Sequence, residues 1–290
     1  MRKSAIDIGS NTLRLLIGQV VEGKAEICHG EVRTTRLANG NRKEPLTPDA
    51  KARTLAALAD FAQILQQWQP VEPPILVATS AMREACDGAA FAQEIQKITG
   101  WQVHILSGKA EAFCSYRGAA TVVNGPAMVL DVGGGSTELI WPLPQGGLQG
   151  SSIPLGAVRL QQHQLSPSIL KAEMASLWHG APSDLPLVAV GGTITALAAV
   201  QRGLTIYQRE KVHGMVFKRE ELLALGQKIA ACPLKERVTR WPMLYEREDL
   251  ILDGLALVLT VLDGLSRQEL IVSDAGILDG VLLGALTEQV

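Results

Sequence analysis

Ile6-Asp7-Ile8-Gly9-Ser10-Asn11-Thr12-Leu13-Arg14-Leu15-Leu16-Ile17 returns, loosened, as Leu130-Asp131-Val132-Gly133-Gly134-Gly135-Ser136-Thr137-Glu138-Leu139-Ile140. Each copy is an apolar run that ends on Asp, a Gly-bearing turn, and a second run in which apolar residues alternate. That order reads as strand, tight turn, strand. The copies keep one spacing: subtracting 7 from 131 gives 124, and the same offset relates Gly9 to Gly133, Thr12 to Ser136 and Arg14 to Glu138. Glycine at such a tip lets an anion reach backbone N–H groups with no side chain in the way. Two tips of this kind facing one another would make a phosphate clamp.

Outward from the hairpins, the chain reads as two domains, a natural size for 290 residues. Strands Ser4 to Ile8, Leu13 to Val21 and Ala25 to Leu37 are followed, after the break at Asn39-Gly40-Asn41, by a helix that Thr47-Pro48 caps and that runs to about Trp68. A buried strand, Ile75 to Ala78, delivers the polar turn Thr79-Ser80-Ala81-Met82-Arg83. Helix, strand and helix then lead to Asn124-Gly125-Pro126, the best boundary, which gives domains 1–124 and 125–290. The second domain repeats the plan. Its buried strand Leu187 to Val190 ends on Gly191-Gly192-Thr193, just before a helix from Thr195. A terminal helix over about 276–290 is expected to pack back on the first domain. The fold class is α/β: two mixed sheets flanked by helices, with a ligand cleft between the domains.

Composition narrows the partners. With 47% hydrophobic and 19% charged residues the chain is globular, and a net charge of −2 gives no global field toward nucleic acid or a membrane surface. Cys28, Cys86, Cys114 and Cys232 are scattered without C-x-x-C spacing, which argues against a zinc cage or redox pair and suits a reduced cytoplasm. The segment MRKSAIDIGS lacks the apolar core of a signal peptide. No apolar run approaches the ~18 residues of a membrane span. Neither a Walker A sequence nor H-E-x-x-H, G-x-S-x-G or G-x-G-x-x-G occurs.

The ordered set AIDIGSNTLRLLI, VATSAMR, LSGKAEA, LDVGGGSTEL, IPLGAVRL, VAVGGTITAL, VHG and SDAGILDG resembles the exopolyphosphatase and guanosine pentaphosphate phosphohydrolase family. That family sits in the superfamily of actin, sugar kinases and heat-shock chaperone ATPases. The resemblance covers essentially the whole chain and is to the short, two-domain subtype. It implies two actin-like (ribonuclease H-like) domains, with the hairpin tips as first and second phosphate loops and Gly191-Gly192-Thr193 as the third. It also implies that Glu111 activates water, although the family's usual pair of glutamates is Ala110-Glu111 here. The family's late Arg-Glu pair is Leu278-Asp279 in this chain.

Phosphoanhydride hydrolysis needs a positioned water, a metal that gathers oxygens, and donors for the transferred charge. Glu111 follows the Ser107-Gly108 turn at a helix start, where spacing alone would make it a dipole-stabilising carboxylate; the resemblance makes it the general base. Arg83 is the cation for the transferred phosphoryl group, since a guanidinium fork matches its oxygens. Gly9, Ser10, Asn11, Gly133, Gly134, Gly135 and Ser136 are expected to donate to terminal phosphates. Arg14 is equally a phosphate contact or a salt bridge. Asp131 and Glu138, seven apart across a hairpin, lean toward one point as Mg²⁺ ligands, with Asp7 as an outer-sphere contact.

Arg33, Arg36, Arg42 and Lys43 form a basic cluster whose default is a solvated face, and His213 in Val212-His213-Gly214 is read as structural. The leading reading is metal-dependent release of orthophosphate from inorganic polyphosphate. Hydrolysis of the 5′ γ-phosphate of guanosine pentaphosphate is the alternative, and an actin-like small-molecule kinase or a non-catalytic nucleotide sensor are alternatives of other classes. The expected protein is cytoplasmic and binds neither nucleic acid nor membrane. A homodimer is compatible with all of this.

Overall fold

The computed structural model describes residues 1–38 and 43–286; the Asn39-Gly40-Asn41 break and Arg42 lie outside them. The chain forms two compact units, Met1–Gly118 with Ile277–Val290, and Ala119–Gly276.

In the first unit, β1 (Lys3–Ile8), β2 (Thr12–Val21) and β3 (Lys24–Thr34) form an antiparallel meander, followed by α1 (Pro48–Trp68), β4 (Ile75–Ala78), α2 (Ser80–Glu84), α3 (Gly88–Thr99), β5 (Val103–Ile105) and α4 (Gly108–Ala119). The sheet order is β3-β2-β1-β4-β5, with β1, β4 and β5 parallel. The period of two along each strand divides its side chains between two cores. Ile6, Ile8, Leu13, Leu15, Ile17, Leu76 and Ala78 pack with Leu58 and Phe61 of α1 and Phe91 and Ile95 of α3. Ala5, Leu16 and Val77 pack on the opposite face with Leu106 and Cys114. Helix α1 starts where the sequence predicts: the Thr47 side chain accepts from the Ala50 N–H at 3.3 Å, and Pro48 occupies the first turn.

The second unit contains β6 (Met128–Val132), β7 (Thr137–Pro142), β8 (Leu148–Ile153), α5 (Ala157–His163), α6 (Pro167–Met174), β9 (Leu187–Val190), α7 (Gly192–Gln201), α8 (Arg209–Val212), β10 (Val216–Lys218), α9 (Arg219–Ala230), α10 (Leu234–Arg240), α11 (Ile251–Gly264) and β11 (Glu269–Val272). Its sheet order is β10-β11-β9-β6-β7-β8. Read from the other edge, β8-β7-β6-β9-β11 repeats the order of the first sheet, so the duplication seen at the hairpins extends through both sheets. Apolar α11 and α7 fill the core between the sheet and its helices, through Leu255, Val258, Leu262, Ile194 and Leu197.

The last helix, α12 (Ile277–Leu282), belongs to the first unit. Ile277, Leu278, Val281 and Leu282 join Ala5, Leu16 and Val77 in one cluster, and a β-carbon at Gly280 would lie 2.0 Å from the carbonyl oxygen of Cys114 on α4. Only glycine permits that approach. None of the described helices is long and apolar enough to cross a membrane.

Candidate functional site

Both hairpin tips close with the same hydrogen bond. Gly9 N–H donates to Thr12 O at 3.0 Å, and Gly133 N–H to Ser136 O at 3.0 Å. In the ladders Asp7 stands opposite Arg14, and Asp131 opposite Glu138. The spacing of 124 is therefore preserved in structure, down to the pair flanking each tip. The supports differ. Asn11 O accepts from the Thr35 and Arg36 N–H groups at 3.0 and 2.9 Å, and Ser10 O from Ala38 N–H at 2.9 Å. In the second unit Gly133 O and Gly134 O accept from Ala157 and Val158 at 3.0 and 2.9 Å, at the start of α5. Gly156 makes this possible, since a β-carbon there would lie 2.5 Å from Gly133 O. In both tips the carbonyls are tied back to the protein, which fixes the loop backbone.

Around the first tip, Ser10 and Ser80 share a buried hydrogen bond of 2.9 Å between their hydroxyls. Ser80 opens α2, and Arg83 lies one turn later. Nη1 of Arg83 donates both to Leu106 O at 2.9 Å and to Glu111 Oε2 at 2.6 Å. Glu111 sits in the first turn of α4, where its N–H bonds Ser107 O and the Ser107 hydroxyl accepts from Ala110 N–H at 3.2 Å. The Arg83 and Glu111 side chains are 24% and 12% exposed, so the pair is shielded without being sealed. Cys114 follows one turn on. Burial, with the Glu111 carboxylate adding to it, pushes its thiol up to about 12, so it is no nucleophile. Asp7 is buried, and Arg14 half-buried, on the two strands that lead to this tip.

In the second unit Glu138 is buried, and its Oε1 accepts from Ser152 Oγ at 2.7 Å. Asp131 lies against the third loop: a β-carbon at Gly191 would be 3.2 Å from Asp131 Oδ1 and 2.8 Å from Val132 O. Gly191 has φ of 107°, open to glycine alone, and α7 begins at the next residue. Thr195 Oγ1 donates back to Gly191 O at 3.0 Å. Thr193 is held by Gly254 of α11, where a β-carbon would be 2.2 Å from Thr193 Oγ1.

Arg247 was not singled out by sequence. A β-carbon at Gly192 would be 1.6 Å from Arg247 Nη1 and 2.7 Å from Cζ, so the guanidinium lies directly on the start of α7. In sequence, Arg247 opens a helix expected over Arg247 to Leu265, as one of the charged residues Glu246-Arg247-Glu248-Asp249, and no local spacing separates it from them; the helix begins only at Ile251. Nearby on α11, burial raises Asp253 above the usual carboxylate range, and the Asp249 charge adds to the effect.

Other predicted features lie elsewhere. His213 Nδ1 accepts from the Asp274 N–H at 3.2 Å, while Asp274 also takes Arg209 Nε at 3.3 Å and the Tyr207 hydroxyl. Within the basic cluster, Arg33 pairs with Glu31 at 2.6 Å and lies over Phe61, so its charge is answered locally. Thus Asp7, Gly9, Ser10, Asn11, Arg14, Arg83 and Glu111 belong to the first unit. Asp131, the 133–136 tip, Glu138 and Gly191–Thr193 belong to the second. Among the described residues no group of three or more His, Cys, Asp or Glu is arranged to hold a metal ion.

The fold has solved relatives. A solved Ppx/GppA family member from Aquifex aeolicus is 28% identical, with a TM-score of 0.79 over 100% of this chain and 98% of that one. A solved exopolyphosphatase-like protein is 26% identical, with a TM-score of 0.86 over 98% and 97%. Both support the actin-like arrangement of two mixed sheets flanked by helices. "Exopolyphosphatase 2" of Mycobacterium tuberculosis is 30% identical, covering 97% of this chain and 98% of its own length. The sequence pattern of one family runs through residues 16–289, and the chain belongs to it: the Ppx/GppA phosphatase family.

Proposed function

We propose that the chain is an exopolyphosphatase, which hydrolyses the terminal phosphoanhydride of inorganic polyphosphate and releases orthophosphate. The observation that carries this reading is the carboxylate of Glu111, presented at the start of α4 by Arg83 in the same unit as a rigid Gly9-Ser10-Asn11 tip. A carboxylate so held is placed to take a proton from water. The name borne by the Mycobacterium relative agrees with it.

In this mechanism the first tip holds terminal phosphate oxygens through the N–H groups of Ser10 and Asn11; the Gly9 N–H, expected to donate there, is instead spent on Thr12 O, as that of Gly133 is on Ser136 O. Glu111 accepts the proton of the attacking water, the water oxygen bonds to the terminal phosphorus, and the anhydride P–O bond breaks toward the shortened chain. Arg83 uses Nη1 for Glu111 and Leu106 O, so its Nε and Nη2 are the atoms offered to the transferred phosphoryl group. Arg247 lies over Gly192 at the start of α7, where its guanidinium and the positive end of the helix dipole would both favour a phosphate.

The donor set fits a divalent cation of the Mg²⁺ kind. Asp131 and Glu138 are hard oxygen donors opposite one another on neighbouring strands. The bare Gly191 beside Asp131 Oδ1 leaves the space a β-carbon would fill. Two carboxylates without a third match an ion that keeps several waters and takes its other ligands from substrate. When bound, such an ion would neutralise phosphate charge as the anhydride breaks.

The test is orthophosphate release from polyphosphates of several lengths and from guanosine pentaphosphate, with Mg²⁺ and after thorough chelation. Release from polyphosphate that chelation stops and Mg²⁺ restores is the expected result. A higher kcat/KM on guanosine pentaphosphate would move the assignment to the nucleotide, and activity that survives chelation would reject the metal site.

A further inference from the structure

Ser80 has no role in the scheme above, yet it is 2% exposed and hydrogen-bonded to Ser10, itself 5% exposed, at 2.9 Å. A buried hydroxyl on a phosphate loop calls for a physical account of where its proton points. Each serine carries one proton and two lone pairs, so in the Ser10–Ser80 bond one oxygen donates and the other accepts. Phosphate oxygens only accept. Were Ser10 to give its proton to Ser80, Ser10 would turn lone pairs toward an anion; with Ser80 as donor, the Ser10 proton is left for the anion.

We propose that Ser80 is a positioning residue. Its O–H donates to Ser10 Oγ, and this directs the Ser10 O–H outward to a substrate phosphate oxygen. The inference rests on reading Gly9–Asn11 as a phosphate loop. Hydrogen bonds in such a chain polarise one another, so the outer one gains from the inner.

The surroundings keep Ser80 in place. The chain before it continues the sheet, with Thr79 N–H on Ile8 O at 3.3 Å, and Arg83 N–H closes the next turn onto Thr79 O at 3.0 Å. Behind α2, Gly88 approaches so closely that a β-carbon would lie 1.9 Å from Met82 O. One short helix therefore carries the residue that sets the direction of the loop hydroxyl and, three positions on, the arginine that holds Glu111.

The experiment uses the orthophosphate-release assay on whichever of the two substrates gives the higher kcat/KM. It compares wild type, Ser80→Ala, Ser80→Cys, Ser10→Ala and the Ser10→Ala/Ser80→Ala double variant, each with its Tm. Ser80→Ala and Ser80→Cys are expected to lower kcat about fivefold, the usual net effect of one hydrogen bond. Cysteine fills the site with a slightly larger atom that is only a weak donor, whereas alanine empties it, so a loss shared by both variants reports hydroxyl chemistry and not packing. The double variant is expected to be no slower than Ser10→Ala alone. Wild-type kcat in Ser80→Cys, or an equal Ser80→Ala loss in both backgrounds, would overturn the proposal. Full activity in Ser10→Ala would instead reject the reading of the first tip, and the relay with it.

Discussion

Gly192→Ala tests whether Arg247 works at the third loop. The backbone at Gly192 is helical and outside the left-handed region, so alanine fits it, and alanine is the better helix residue by up to about 1 kcal/mol. The obstacle is the guanidinium, 1.6 Å from the new β-carbon at Nη1 and 2.7 Å at Cζ. Ordinary contact needs about 3.5 Å, so the end of a flexible side chain must retreat by roughly 2 Å. Folding should tolerate that movement. A charge-assisted hydrogen bond to phosphate should not survive it, and such a bond contributes about 2 kcal/mol, or roughly thirtyfold in kcat/KM. The expected result is a Tm equal to or above that of wild type together with this thirtyfold loss in orthophosphate release. Arg247→Ala should lose as much, and the double variant no more than either single one. Wild-type kcat/KM in Gly192→Ala would refute the reasoning. So would an undiminished Gly192→Ala loss in the Arg247→Ala background, since the β-carbon would then be obstructing the ligand and not displacing the arginine.

Glu111→Gln removes the base and keeps the shape; kcat should fall by about 10²–10⁴-fold, while titration calorimetry still detects polyphosphate binding. Retained turnover would sink the assignment. Arg83→Ala should lower kcat by a far larger factor than the modest drop in Tm expected from losing its bonds to Glu111 and Leu106 O; comparable losses in kcat and Tm would point to a structural role. For Asp253 the folded-state pKa is raised, chiefly by burial, so the native state holds its proton more tightly than the unfolded chain. Its contribution to stability is therefore most favourable below the unfolded pKa and is lost as pH rises through the folded one. Asp253→Asn should accordingly raise Tm at pH 7, with a gain that shrinks as pH falls into the carboxylate range; a gain independent of pH in thermal melts would contradict this origin.

The hairpins were legible because two local rules coincide there: alternation marks the strands, and glycine marks a tip whose N–H must fold onto a carbonyl three residues on. Ile75–Ala78 and Leu187–Val190 were equally plain, as short apolar runs buried on both faces. Other parts escaped for identifiable reasons. Thr79–Arg83 reads as a turn, yet Ser80–Glu84 is helical; five residues are too few to display a period of 3.6, and the burial of Ala81 and Met82 decides the conformation. The helix expected from Thr195 begins at Gly192, because the Gly-Gly pair looks like a breaker until the space taken by Arg247 and Asp131 is known. β10, Val216–Lys218, is three residues long and exists through its pairing with β11. The Arg83–Glu111 and Ser10–Ser80 bonds join residues far apart in sequence, which no local pattern encodes.

The place of α12 bears on how the chain is made. Its four apolar side chains complete the second core of the first unit, on a sheet whose strands all precede the second unit in the chain, whereas α12 follows it. The second unit, by contrast, is one uninterrupted segment. Synthesis runs toward the C-terminus, so the first sheet must wait with one face only partly covered until the second unit has been made and α12 follows it, while the later-made unit already has every strand it needs. The usual order, in which the N-terminal domain folds first, is thereby reversed: during translation the exposed Ala5, Leu16 and Val77 face is a natural point for a chaperone to hold, and nascent chains stalled before Ile277 should carry a protease-resistant second unit beside a sensitive first one.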